Sequence, residues 1–140
     1  MTEAVLDASV VLKWFRQAAE ERAVQARALR ARFEAGELTV FAPPLLFLEI
    51  INVAAWRWRW SHKALSELAA QLEHTAFEVQ EPDLPALAQW VGKGLTAYDA
   101  SYVAVAEALG IPLVTDDDRM VGIAPGIATP LGQIGERRPR

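Results

Sequence analysis

Cysteine is absent from the 140 residues, which removes a disulfide framework, a thiolate zinc centre and a cysteine nucleophile at once. Histidine is scarce as well: with only His62 and His74 available, a histidine zinc site is not expected, and any metal would be held mainly by oxygen. Long apolar runs are also missing. Phe41 to Trp56 comes nearest, but two prolines, Glu49 and Asn52 interrupt it, so no segment reads as a membrane span. Acidic Glu3 stands where a signal peptide would be basic, and a soluble, cytoplasmic protein is expected. Positive charge is short too, the formal net charge being -4 and the pI near 5.2. That argues against a broad electrostatic grip on nucleic acid, which usually shows as a basic stripe. An acidic cluster that takes up cations, however, looks more acidic in sequence than in its working state. No internal repeat or low-complexity linker is visible.

What is present is apolar material: 52% of residues are hydrophobic and 23% charged, enough for one domain with a real core. That domain is expected over residues 1–135, with 136–140 a disordered basic tail. Ala4 to Leu6 reads as a strand ending at Asp7, with helical character from Val10 to Phe15. A helix over 18–35 carries Ala26, Leu29 and Phe33 on one face and stops at Gly36. Thr39 to Ala42 is a strand, Pro43 and Pro44 open a helix running to about Trp60, and Ser61 caps another to about His74. Phe77 to Gln80 reads as a strand and Asp83 to Val91 as a helix. A helical stripe of Tyr98, Tyr102, Val105 and Leu109 ends at Gly110, and Ile111 to Thr115 is a last strand. Helices alternate with strands, so the fold class is α/β with a mainly parallel sheet.

Ligands of open α/β sheets bind beyond the carboxyl ends of the strands. Asp7 and the run Asp116-Asp117-Asp118 fall there, although each aspartate could equally cap the helix that follows. Glu49 lies in an apolar neighbourhood, with Leu45, Leu48, Asn52 and Trp56 on its helical face. An ionised carboxylate buried there needs a cation, a hydrogen-bond network or a proton. No basic residue occurs between Pro43 and Trp56, so a salt-bridge partner would have to come from elsewhere in the fold. Asp99 follows Thr96 by three residues and could form a capping pair with it, yet Ala97 and Ala100 leave room for a close ligand. Four carboxylates from separate elements would crowd like charges into one pocket, and a hard divalent cation is the simplest remedy.

These segments resemble the PIN-domain family, and within it the VapC-type toxins of toxin–antitoxin pairs. Val5-Leu6-Asp7-Ala8-Ser9 with Lys13-Trp14-Phe15 resembles the first acidic motif, and Leu48-Glu49-Ile50-Ile51-Asn52 the second. Thr96 to Tyr102 resembles the third. Leu113 to Arg119 resembles the fourth, in which the acidic residue stands two places after the threonine; that points to Asp117, with Asp116 and Asp118 flanking it. The resemblance implies a three-layer α/β/α sandwich, Mg²⁺ or Mn²⁺ as cofactor, RNA as substrate, an antitoxin as partner and a homodimer. It assigns Asp7 and Asp99 as main metal ligands, Glu49 as ligand or water orienter, and Asp117 as outer ligand, with Ser9, Asn52 and Asp116 as possible auxiliaries.

Other readings remain in view. Trp56-Arg57-Trp58-Arg59-Trp60 has the aromatic and guanidinium groups that stack on unpaired bases, but Trp56 and Trp60 would share a helical face, which fits a core or interface role. Arg137, Arg138 and Arg140 could touch phosphate or simply be solvated. A receiver-like signalling domain would want adjacent acidic residues after its first strand and a late lysine; Ala8 and Ser9 follow Asp7, and no lysine follows Lys93. A phosphatase with a nucleophilic aspartate would want a second aspartate at position 9. A non-catalytic PIN-like binder would usually lack a carboxylate, and a housekeeping RNA-processing nuclease is the nearest alternative to a toxin.

Overall fold

The computed structural model describes residues 1–16 and 21–134; the expected start of the second helix near Ala18 and the basic tail at 136–140 lie outside these residues. The elements run β1 (Glu3–Leu6), α1 (Ala8–Phe15), α2 (Ala23–Glu34), β2 (Thr39–Ala42), α3 (Leu45–Trp56), α4 (His62–His74), β3 (Glu78–Val79), α5 (Leu84–Gly92), α6 (Ala97–Leu109), β4 (Leu113–Thr115), α7 (Asp118–Ile123) and β5 (Ala128–Pro130). The five strands lie in the order β3-β2-β1-β4-β5, every neighbouring pair parallel. Right-handed crossovers put α1 to α4 on one face of the sheet and α5 to α7 on the other. The packing agrees: α1 meets α2 and α3, α3 meets α4, and α5 meets α6. This is the expected three-layer α/β/α sandwich.

The central strands explain the core. Ala4, Val5 and Leu6 of β1 and Leu113 and Val114 of β4 are fully buried, as a parallel sheet covered on both faces requires. Over one face, Trp14, Phe33, Phe77 and Phe47 form a chain of ring contacts with centroids 5.2 to 6.1 Å apart, each pair contributing about 0.5–1.5 kcal/mol beyond area burial. Trp14 also donates its indole N–H to the Ala26 carbonyl at 2.9 Å, joining α1 to α2. Gly110, at φ +66, closes α6 in the left-handed conformation that glycine adopts without strain.

The α3 helix departs from expectation at both its end and its face. It stops at Trp56 rather than Trp60: the amide of Trp58 returns to the Val53 carbonyl and that of Trp60 to Ala54, both at 3.0 Å, and Arg59 takes φ +58. Trp56 and Trp60 therefore share no helical face. Trp56 is 70% exposed, whereas Trp58 and Trp60 pack on the core and on each other, centroids 5.3 Å apart. The buried stripe of α3 is Leu46, Ile50 and Ala54, so the face of Leu48, Asn52 and Trp56 beside Glu49 looks to solvent. A helix apolar nearly all round hides which stripe meets the sheet.

α7 and β5 were not expected as elements. α7 has only six residues, Gly122 among them, and β5 ends in a proline that an edge strand tolerates; both are too short for a periodic signal. Among the described residues no helix is long and apolar enough to cross a membrane.

Candidate active site

Strand order reverses between β1 and β4, which sit side by side with Leu6 opposite Val114 although more than 100 residues separate them. Their carboxyl ends form the crevice where α/β sheets bind ligands. Asp7 closes β1 and stands at the N-cap of α1, where the Val10 amide contributes less to its carboxylate than Ser9 and Thr115 do. Its carboxylate turns into the sheet edge, only 4% exposed. Ser9 donates its hydroxyl to Asp7 Oδ1 and Thr115 donates to Oδ2, each at 2.5 Å. Both hydroxyls also reach the β4 turn: Ser9 Oγ accepts from the Asp116 amide at 2.9 Å and Thr115 Oγ1 from the Asp117 amide at 3.0 Å. Two hydroxyls thus clasp the β1 and β4 turns around one carboxylate. Burial, opposed by those bonds, still pushes the Asp7 carboxyl up from 3.8 to about 7, so water's loss outweighs what two neutral donors return.

Glu49 reaches the same edge from α3 and is half-buried. The Tyr102 hydroxyl of α6 donates to its Oε1 at 2.5 Å. Burial raises the Glu49 carboxyl above its usual range, Tyr102 opposes the rise, and the charge of Asp99 adds to it. Asp99 sits in the first turn of α6, whose N-cap Thr96 accepts from the Asp99 amide at 3.1 Å. The capping geometry is therefore present through the Asp99 backbone, and Thr96 also bonds the Asp99 carboxylate, which faces Asp117 and Arg119 as well. Burial first and then Asp117 raise Asp99, while Thr96 and Arg119 lower it. Asp99 also contributes to raising Asp7. Four carboxylates from β1, α3, α6 and the β4 turn thus share one electrostatic neighbourhood.

The three aspartates at 116–118 meet different surroundings. Asp117 caps α7, its Oδ1 accepting from the Arg119 amide at 2.9 Å and the Met120 amide at 3.4 Å, and it acts on Asp99. Asp116 turns the other way, pairing with Lys13 at 3.3 Å and with Arg22. Asp118 is exposed. Asn52 is exposed on α3 and lines an open groove of about 550 Å³ with Glu49, Leu48, Trp56 and Tyr98. Tyr102 and Thr115, which touch Glu49 and Asp7, were not singled out from sequence as site residues. The available signals were spacing alone: Tyr102 falls one turn after Asp99, and Thr115 two residues before Asp117.

By donor chemistry this is an all-oxygen set suited to a hard divalent cation. Among the described residues no three acidic or histidine side chains already stand close enough to enclose an ion; the carboxylates gather at one crevice without closing on a common point. Asp7, Glu49, Asp99 and Asp117 are the groups that could converge there. Arg119 is the nearby cation that acts on Asp99, and its guanidinium donates to the Gly94 carbonyl at 2.6 Å.

A family model described as "PIN domain" matches residues 4–124. Solved structures of similar fold include PAE2754 from Pyrobaculum aerophilum, with 25% identity over 94% of this chain and 90% of that one and a TM-score of 0.67. FitAcB from Neisseria gonorrhoeae is 19% identical, covering 94% and 99%, with a TM-score of 0.68. VapC20 of Mycobacterium tuberculosis, described as a toxin cleaving the sarcin–ricin loop, is 19% identical over 97% and 99%, with a TM-score of 0.64. The last two likenesses bear on the fold alone. No curated protein matches the sequence significantly.

Proposed function

From the premise that the chain belongs to the PIN-domain family, we propose that it is a divalent-metal-dependent endoribonuclease acting as the toxin of a type II toxin–antitoxin pair. One observation carries the reading: Asp7, Glu49, Asp99 and Asp117 come from separate elements to one crevice, with Asp7 buried and its carboxyl pushed up to about 7. Such an arrangement costs stability unless an external cation offsets it. VapC20, whose fold this chain shares, is described as a toxin, and the toxin role is carried over from it as part of the proposal.

Bound Mg²⁺ or Mn²⁺ would supply the activation of water and the stabilisation of charge on phosphoryl oxygens that phosphodiester hydrolysis needs. Asp7 and Asp99 are the main ligands in this reading. Ser9 and Thr115 hold the Asp7 carboxylate at the sheet edge, so its oxygens are oriented before any ion arrives. Glu49 either binds the ion or orients the attacking water from α3. Asp117 stands as outer ligand, fixed by the first amides of α7. Asn52 lies on the groove beside Glu49, placed to position water or phosphate by hydrogen bonding. Asp116 contributes through Lys13 and Arg22 to the architecture of the β4 turn and not to the ligand set.

The partners follow from the same surface. An antitoxin would insert a basic side chain, most simply an arginine, among the carboxylates and so exclude metal and RNA. Leu48, Trp56 and Tyr98, 63 to 70% exposed, give the chain an apolar face for a homodimer. The protein is assigned to the cytoplasm.

The decisive experiment is cleavage of a labelled single-stranded RNA by purified protein with Mg²⁺, with Mn²⁺ and with excess chelator. Cleavage only with metal, abolished by Asp7→Asn, is expected. Cleavage that persists in chelator would exclude the mechanism.

A further inference from the structure

Tyr102 is 1% exposed and ranks among the largest fully buried side chains, yet it ends in a hydroxyl. A buried phenol needs a hydrogen-bond partner. Its hydroxyl donates to Glu49 Oε1 at 2.5 Å, and no buried side-chain polar atom among the described residues lacks a partner. The bond joins α6 to α3 across the carboxyl edge of the sheet, linking the two helical layers there. Glu49 is half-buried on a helix whose neighbouring positions, Leu48 and Asn52, are exposed. Its flexible chain therefore has room to swing outward into the groove. No basic side chain pairs with it among the described residues. Tyr102 is the contact that holds it inward.

We propose that Tyr102 is the positioning residue for Glu49: its hydroxyl pins Oε1, fixes the side chain toward the crevice and leaves Oε2 to act there. The inference rests on the assignment of Glu49 to the metal site. It parallels the treatment of Asp7, whose two oxygens are held by Ser9 and Thr115. The difference is that both oxygens of Asp7 are restrained and only one of Glu49, so loss of the Tyr102 hydroxyl removes the hydrogen bond that holds Glu49 inward. The ring of Tyr102 serves the core and its hydroxyl serves the site, and Tyr102→Phe separates the two.

The test is Mn²⁺ binding to the full chain, followed by calorimetry or by the resonance of free Mn²⁺, so that it does not depend on turnover. Tyr102→Phe should weaken Mn²⁺ binding about 10- to 100-fold, the usual effect of removing a partner that orients a ligand. Its melting temperature without metal should stay close to wild type. Glu49→Gln should weaken binding at least as much, and the double variant should be no worse than Glu49→Gln alone, because Tyr102 acts through Glu49. Wild-type Mn²⁺ affinity in Tyr102→Phe beside weakened binding in Glu49→Gln would overturn the positioning role and leave the site standing. Additive losses in the double variant would also overturn it, since they would mean general loosening. Wild-type affinity in Glu49→Gln would remove Glu49 from the site and the inference with it. In steady-state cleavage, Tyr102→Phe should lower kcat at saturating RNA with little change in KM.

Discussion

Asp116 and Asp117 are adjacent in the chain and follow the same strand, yet they open onto regions of opposite electrostatic character. On the Asp116 side the fold supplies its own cations: Lys13 from α1, its side chain 10% exposed, and Arg22 from the entry to α2 both pair with the carboxylate. On the Asp117 side it gathers Asp99, Glu49 and Asp7, and among the described residues Arg119 is the cation that acts on them. The first region is neutralised from within and is a structural joint. The second is left negative, and Asp7 is driven toward protonation. Carboxylate content alone thus does not separate the two regions; what separates them is whether the fold matches the carboxylates with cations, which is the basis for proposing a metal on the Asp117 side.

The sharpest way to break the contrast is to neutralise one aspartate on each side. Asp7→Asn should reduce metal-dependent RNA cleavage by at least about 100-fold, more than the loss of a residue that only orients a ligand, as measured by initial rates. Activity within a few-fold of wild type would place the chemistry elsewhere. Asp116→Asn should keep most activity and lose stability. Breaking the Lys13 pair should cost about 2 kcal/mol, below the ~3–5 typical of fully buried pairs because this one remains partly wetted; a denaturant titration measures it. A larger activity loss in Asp116→Asn than in Asp117→Asn would exchange the roles of the two.

The pH dependence sharpens the same comparison. A folded Asp7 titrates near 7 and its unperturbed counterpart at 3.8, so between these values the folded state holds the extra proton. Stability of the metal-free protein should therefore rise as pH falls from about 7 toward about 4 and be lost as pH climbs back. Thermal melts should show that slope in wild type and a flatter one in Asp7→Asn, and Mg²⁺ should flatten the wild type by holding the carboxylate ionised. Identical slopes in the two proteins would mean that Asp7 is not the group responsible.

The smallest effect belongs to Asp99. Asp99→Asn should raise the melting temperature of the metal-free protein at pH 8, by less than about 1 kcal/mol in stability because the site is still wetted. Added Mg²⁺ should shrink or reverse the gain, since the ion stabilises wild type more. A variant less stable than wild type at every Mg²⁺ concentration would mean that Asp99 acts only as part of its helix end.

Much of the candidate site was legible in the sequence because the carboxylates fall at positions local rules can read. Asp7 and Asp117 follow apolar strand runs, Asp99 opens a helix behind a capping threonine, and Glu49 interrupts an apolar stretch. Alternation of helical and strand periods likewise placed the parallel sandwich. It could not say which way a side chain turns. Asp116 and Asp117 have the same chemistry and nearly the same local context; Asp117 caps α7, while Lys13 and Arg22 arrive from elsewhere to pair with Asp116. The bonds from Thr115 to Asp7 and from Tyr102 to Glu49 span 108 and 53 residues, and no periodicity encodes them. The exposed face of α3 and the turn back at Arg57 to Trp60 were decided the same way: in a helix apolar on nearly every side, the stripe that is buried is the one the sheet and its neighbours leave room for. Local propensity and pattern determined which elements form and where their acidic residues stand; tertiary packing decided which of those charges meet a basic side chain and which, among the described residues, face mainly one another.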